Sequence, residues 1–280
     1  MEALLLAAGL GTRLQPLTSE LPKCLMPIHG RPLLGLWLEM LISGGIDRIF
    51  INLHYLAPLV REYVSTSPYA RHVRFLEEPE LLGTAGTLKT FRKEYSDNAL
   101  LMAHADNLTL FDVREFRRSF ENRPKDCALT MMTFETDDPQ SCGIVTLDKE
   151  KRVIDFVEKP KTDIGRLANG AVYIMDIAAI DRILKTDPEI TDFSTEILPH
   201  FVGHMNSFHN HLYHRDIGNV TALADAQKEI RDRPQAQALI SAVPSYWSME
   251  ETRQLRLRQF QACLATTSVD AAAITLMTEK

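Results

Sequence analysis

Apolar positions in the first hundred residues fall into short blocks whose spacing alternates between two periods. Ala3–Ala8 is a continuous apolar run that ends at a glycine loop, and Arg48–Leu53 (RIFINL), Val73–Glu77 and Ala99–Ala105 (ALLMAHA) are further short runs. Runs of this length, bounded by turn residues, predict buried strands. Between them Pro32–Ser43 (PLLGLWLEMLIS), Ala57–Val64 and Thr84–Tyr95 carry helical patterns. The first of these opens with a proline, which a helix tolerates in its first turn. Strand and helix in alternation predict a Rossmann-like α/β fold, a mainly parallel sheet with crossover helices. Ligands of such sheets sit at the carboxyl ends of the strands, where Gly9 and Asp106 both fall.

The pattern then changes. Ala128–Phe134, Gly143–Leu147, Val153–Val157 and Ala171–Met175 are strand-like with few helices between them. They predict an antiparallel extension that forms the second wall of a cleft. Arg231-Asp232-Arg233-Pro234 marks a boundary, beyond which Ser248-Met249-Glu250-Glu251 has the S-x-x-E capping pattern and Leu257, Phe260 and Leu264 recur at helical spacing. The expected organisation is a main domain over residues 1–232 and a small helical appendage over 233–280. No internal repeat is visible.

At 280 residues the chain makes one large domain or two small ones. Its net charge of −6 argues against a general nucleic-acid binder but leaves room for a local basic pocket. Hydrophobic content of 45% and charged content of 24% are ordinary globular values. Met1–Gly9 lacks a basic segment before its short apolar run, and no stretch approaches the roughly 20 apolar residues of a membrane helix. The four cysteines form no C-x-x-C pair. These features predict reduced thiols in a cytoplasmic protein.

The strongest chemical signal lies in residues 9–27: Gly9-Leu10-Gly11-Thr12-Arg13, then Lys23, Leu25 and Pro27. A glycine loop directly after a first strand offers backbone N–H groups to an anion. Arg13 adds a guanidinium fork and Lys23 a compact positive charge. A dinucleotide fingerprint is excluded because Leu14 stands where its third glycine would be, and a P-loop because Lys23 lies between Pro22 and Cys24. The glycines alone are equally compatible with a plain turn.

Together with motifs further along the chain, the stretch GLGTRLQPLTSELPKCLMP resembles the signature of the sugar-1-phosphate nucleotidyltransferases. Glu78-Pro79 with Leu82-Gly83-Thr84-Ala85-Gly86 is similar to the family's base-binding turn. Asp106 ends a strand as the family's metal aspartate does. Glu158-Lys159-Pro160, Asn169-Gly170 and Asp216-Ile217-Gly218 come next, in the family's order. The resemblance spans about residues 1–230 and is greatest to the mannose-1-phosphate guanylyltransferases.

The resemblance implies a reaction in which NTP and a sugar 1-phosphate give an NDP-sugar and pyrophosphate. It implies that Ala8, Gly9, Gly11, Thr12, Glu78, Gly83, Thr84 and Gly86 bind the nucleotide. Arg13 would neutralise the leaving phosphates, and Lys23 would stabilise charge at the α-phosphate. Asp106 and Asp216 would share a Mg²⁺, Lys159 would hold the sugar phosphate, and Glu158, Asn169 and Gly143 would meet the sugar. Taken singly, Asp106 and Asp216 also suit turns, and Glu158-Lys159-Pro160 suits an exposed strand end. Cys142 and the order Asn169-Gly170-Ala171 depart from the family pattern, which bears on the identity of the sugar.

A carboxylate only accepts hydrogen bonds. Glu78 could accept from guanine N1–H and N2–H₂ together, or once from the N3–H of uracil or thymine. The resemblance of Glu77-Glu78-Pro79 and LGTAG to the mannose-1-phosphate guanylyltransferases implies GTP and a sugar 1-phosphate as partners, with UTP or dTTP next, and a GDP-mannose or GDP-heptose as product. A homodimer is compatible, and no nucleic-acid or membrane partner is expected. His200, His204, His209, His211 and His214 match no named zinc spacing. His104 shares a strand face with Asp106 and reads as a packed histidine that lines the pocket. Two rival readings exist. A non-catalytic nucleotide-sugar sensor would be expected to have lost Arg13, Lys23 or a metal aspartate. A cytidylyltransferase for an alcohol phosphate such as phosphocholine would use aromatics for the cation, and Tyr173 and Phe156 are the nearest candidates.

Overall fold

The computed structural model describes residues 1–244, 251–267 and 269–278, without the side chains of 251–257. Its strands are β1 (Glu2–Leu6), β2 (Pro27–Ile28), β3 (Arg31–Pro32), β4 (Ile49–Leu53), β5 (Val73–Glu77), β6 (Ala99–His104), β7 (Asn107–Leu110), β8 (Leu129–Glu135), β9 (Gly143–Leu147), β10 (Val153–Glu158), β11 (Leu167–Asp176), β12 (Met205–His209) and β13 (Tyr213–Asp216). The α-helices are α1 (Leu33–Ser43), α2 (Ala57–Ser65), α3 (Thr84–Thr90), α4 (Val113–Glu121), α5 (Ile177–Thr186), α6 (Val220–Arg231), α7 (Pro234–Ala242), α8 (Glu251–Ala265) and α9 (Ala271–Thr278).

One nine-stranded mixed sheet organises the molecule, in the order β10-β9-β11-β6-β1-β4-β5, with β8 paired to β11 and β12 paired to β8. β6, β1, β4 and β5 run parallel. β11 joins β6 antiparallel, and β8, β9 and β10 continue in the antiparallel sense. The expected extension is thus built onto the parallel sheet through β11. Alternation along the central strands assigns two faces. Ala3, Leu5, Ile51, Leu101 and Ala103 enter one core with α1 and α2, whereas Leu4, Leu6, Phe50, Leu100 and Met102 enter the other with α3 and α5. Both faces are covered, so these strands read as continuous apolar runs rather than alternating ones.

Two features depart from the sequence expectation. The helix expected over Thr84–Tyr95 closes at Thr90, and a 3₁₀ turn at Arg92–Glu94 comes after it. The short strands β7, β12 and β13 and the helices α4 and α5 add elements that the apolar pattern did not reveal. In the segment after residue 233, Phe260, Leu264, Ala273 and Met277 are buried in the same core as α1 and β1. Ser248, Met249 and Glu250 of the expected cap, and the side chain of Leu257, lie outside the described residues. No described helix is long and apolar enough to cross a membrane.

Candidate functional site

β1 pairs in parallel with β6 from Glu2↔Leu100 to Leu6↔His104 and with β4 on its other side. The direction of sheet growth therefore reverses between β1 and β6, a switch point at which a crevice opens beyond the strand ends. From β1 emerges the glycine loop. The Ala7 amide donates to Asn52 Oδ1 at 2.6 Å. The amides of Ala8, Gly9, Leu10 and Gly11 donate to no described residue, which leaves them free for an anion. Gly11 stands in the left-handed region at φ 61, and a Cβ there would lie 2.9 Å from Thr18 Cγ2. Glycine is required on both counts. Buried Leu14, Leu17, Leu21 and Leu25 anchor the next segment of the chain.

Asp216 reaches this crevice from the far end of the chain. β13 pairs antiparallel with β7 and sets Asp216 opposite Asn107, next to Asp106. Lys23 Nζ bridges the two carboxylates, donating to Asp106 Oδ2 at 3.1 Å and Asp216 Oδ1 at 2.8 Å. Arg13 Nη2 donates to Asp216 Oδ2 at 3.3 Å. A Cβ on Gly218 would stand 2.9 Å from that same Arg13 Nη2, so the glycine of Asp216-Ile217-Gly218 leaves room for the contact. The Lys23 side chain is 6% exposed and that of Arg13 72%. Burial works against the Lys23 charge, but Asp106 and Asp216 outweigh it and hold the ammonium pKa above its usual value. Burial likewise works to raise Asp216, and Lys23 and Arg13 overcome it and hold the carboxyl below the ordinary range. Lys23 and Asp216 therefore both keep their charge at neutral pH.

A cleft of about 1130 Å³ is lined on one side by Arg13, Lys23, Asp106 and Asp216 and on the other by Gly143, Glu158 and Asn169. The antiparallel pairing of β10 with β9 sets Glu158 opposite Gly143. A Cβ on Gly143 would lie 2.6 Å from Glu158 Oε2 and 2.6 Å from the Phe156 ring. The glycine thus makes room for Glu158 and Phe156. Burial raises the Glu158 pKa. Asn169 donates through Nδ2 to the Tyr173 hydroxyl at 2.7 Å and accepts from the Ala171 amide at 3.0 Å. Ala171 takes the left-handed φ of 52. Lys159 stands outside the cleft lining, 66% exposed, with its ammonium 4.0 Å from Glu158 Oε1.

The base-binding turn departs most from expectation. Glu78 is 4% exposed. Its Oε1 accepts from Asn52 Nδ2 at 2.9 Å and Thr87 Oγ1 at 2.5 Å, and its Oε2 accepts from the Leu82 amide at 3.4 Å. A carboxylate so engaged braces the turn. Through Asn52 it ties the turn to the Ala7 amide at the end of β1. The Ala85 and Gly86 amides donate to the Thr191 carbonyl, and Phe193 N donates to Thr84 Oγ1. A Cβ on Gly83 would fall 2.5 Å from that carbonyl. Gly83, Thr84 and Gly86 therefore lock the turn to the Thr191–Phe193 segment. Glu78→Gln is expected to lower stability by about 1–3 kcal/mol, because it places an amide donor against the Asn52 and Leu82 donors. Urea denaturation checks this, and an unchanged midpoint would remove the brace.

His214 lies under Phe134, ring centroids 4.0 Å apart, with Nδ1 2.9 Å from Thr109 Oγ1. Burial pushes its pKa from the ordinary 6.5 down to about 4. Between those values the unfolded chain binds the extra proton, so stability is complete above pH 6.5, falls as pH drops from 6.5 toward 4 and levels off below. The full loss is about 3 kcal/mol. Urea midpoints at pH 7 and 4.5 should differ less in His214→Gln than in the parent chain. Equal differences would place the acid sensitivity elsewhere.

Asn52, Tyr173 and Thr191 are the supporting residues that sequence reasoning passed over. Asn52 carries a visible signal, since it is the one amide in the apolar run RIFINL. Tyr173 reads as ordinary strand core, and a backbone carbonyl such as that of Thr191 leaves no mark in a sequence. The late histidines form no metal cluster among the described residues.

Residues 2–233 match the family model described as Nucleotidyl transferase. The chain is 29% identical over 185 residues to a mannose-1-phosphate guanyltransferase of Sulfolobus acidocaldarius, covering 65% of this chain and 50% of that protein. It is 29% identical over 204 residues to the mannose-1-phosphate guanylyltransferase catalytic subunit beta of Xenopus tropicalis, covering 71% and 55%. The chain thus spans about half the length of the curated relatives it matches. Among solved structures it is similar to HddC from Yersinia pseudotuberculosis, with a TM-score of 0.67 and 27% identity, covering 81% of this chain and 98% of that one.

Proposed function

The chain belongs to the nucleotidyl transferase family, and on that footing we propose that it transfers a nucleotidyl group to a sugar 1-phosphate and releases pyrophosphate. One observation carries the reading: Lys23 bridges Asp106 and Asp216 at the mouth of a crevice whose neighbouring loop, Ala8–Gly11, has unengaged amides. The loop amides and Arg13 bind the triphosphate. An oxygen of the sugar 1-phosphate attacks the α-phosphorus in line as the bond to the β-phosphate oxygen breaks. Both reactants are anions, so bringing them together requires preorganised positive charge. Lys23 supplies it at the α-phosphate and Arg13 at the departing pyrophosphate. Glu158 and Asn169 hold sugar hydroxyls, and Lys159 reaches the acceptor phosphate from the rim.

The carboxylates of Asp106 and Asp216 are hard oxygen donors converging on one point, the donor set that Mg²⁺ prefers. Asp106 and Asp216 would hold such an ion. When bound, it adds charge neutralisation at the phosphates.

The favoured nucleotide is GTP and the favoured product GDP-mannose or a GDP-heptose. Support comes from relatives whose names specify mannose 1-phosphate and guanylyl transfer, since Glu78 faces inward. UTP or dTTP with another sugar 1-phosphate is the second reading, because fold similarity leaves the base open. Pyrophosphate release with Mg²⁺ across four NTPs and several sugar 1-phosphates tests all of this. GTP with mannose 1-phosphate is expected to lead. Silence across the matrix from protein that still binds NTP would favour a nucleotide-sugar sensor.

A further inference from the structure

His104 ends β6, in register with Leu6 of β1, and lines the cleft between Asp106 and the Asn169 side. Its Nε2 is buried without a hydrogen-bond partner, and among the described residues no group bonds its Nδ1 either. The other rings near the fold's core differ. His29, His54 and His72 each set a ring nitrogen against a backbone carbonyl, and His214 sets one against Thr109. Burial closes Nε2 off, whereas Nδ1 is not among the buried atoms, so Nδ1 is the unpartnered ring nitrogen that a ligand in the cleft can reach.

The surroundings restrict what that partner is. Phosphate already has its donors in Arg13, Lys23 and the loop amides, and beside His104 stand the carboxylates Asp106 and Asp216. On the other side the cleft carries Asn169 and Ser194, neutral groups that both meet the Tyr173 hydroxyl. This wall is suited to hydroxyls, which donate and accept at once as an imidazole does. We propose that His104 is a substrate-binding residue whose unpaired Nδ1 hydrogen-bonds a sugar hydroxyl in the cleft. The hydroxyl belongs either to the acceptor pyranose or to the ribose of the nucleotide, and the inference rests on the reaction proposed above.

Two variants and one measurement on the unaltered chain test it. His104→Leu keeps bulk and removes both nitrogens, and His104→Gln restores a donor and an acceptor. With GTP and mannose 1-phosphate, His104→Leu should raise one KM about tenfold, the loss of a single hydrogen bond to substrate. His104→Gln should recover part of it. A rise confined to the sugar phosphate, with lost discrimination against 2-deoxymannose 1-phosphate, assigns the acceptor. A rise confined to GTP, with lost discrimination against dGTP, assigns the ribose. Imidazole ¹⁵N signals of the unaltered chain should shift on saturation with mannose 1-phosphate or GTP, an arm that needs neither turnover nor a folded variant. Unmoved His104 signals with both ligands, or unchanged KM values in an active His104→Leu, would overturn the proposal and leave a bound water as the partner. Absence of pyrophosphate release from the unaltered chain would instead count against the reaction, while the ring signals still decide whether His104 meets a sugar.

Discussion

Lys23→Met is expected to lower turnover by a factor on the order of 10²–10³, the usual effect of deleting one preorganised charge donor at a developing anion. The fold should survive it. Lys23 is the least exposed member of its cluster, at 6%, but its partners Asp106 and Asp216 remain 34% and 46% exposed, so water reaches both carboxylates once the ammonium is gone. Methionine fills the space of the lysine stem. The Lys23 Cβ stands 3.2 Å from where a Cβ on Gly11 would fall, and methionine keeps that contact. Pyrophosphate release under saturating substrates gives turnover, and circular dichroism against temperature reports the fold. Near-normal turnover in a folded variant would take Lys23 out of the mechanism. The Mg²⁺ titration provides a second readout: its midpoint should not rise, since the two carboxylates no longer share their charge with an ammonium.

Asp216→Asn should produce a comparable fall in activity for a different reason. Asp216 accepts from Lys23 with one oxygen and from Arg13 with the other, so its charge orients both cations. Without it Arg13 loses its anchor, and the proposed metal loses one of two hard ligands. The Mg²⁺ midpoint is expected to rise about tenfold or more. A further consequence concerns pH. The Lys23 pKa is held up by Asp106 and Asp216 against a burial effect that acts in the opposite direction. Halving the negative charge lets burial gain ground, so the ammonium loses its proton at lower pH. The alkaline limb of the pH–rate profile should therefore move to lower pH in Asp216→Asn and stay in place in Arg13→Gln. An alkaline limb unmoved in Asp216→Asn would mean that Lys23 does not titrate in that limb, and an unmoved Mg²⁺ midpoint would place the metal elsewhere.

Short-range order along the chain already specifies much of this architecture. The four parallel strands, the crossover helices α1 and α2, and the glycine loop with Arg13 and Lys23 behind it are all legible from local period and turn chemistry, because burial on both faces of a sheet imposes continuous apolar runs. Asp106 at the end of β6 belongs to the same class, since a strand's end and its side of the sheet are local properties. The role of Asp216 arises only in three dimensions: the β7–β13 ribbon carries it beside Asp106, and strand pairing between distant segments has no local signature. The same holds for roles that depend on neighbours. Glu78 and Asp106 are both carboxylates after apolar strands, yet Asn52, Thr87 and the Leu82 amide close around the first while Lys23 and a cleft open beside the second. Gly143 is a glycine because Glu158 and Phe156 cross over it, and the segment after residue 233 is structural because Phe260 and Leu264 enter the first core. Residue type sets what a side chain can do, and packing determines which groups are left free to do it.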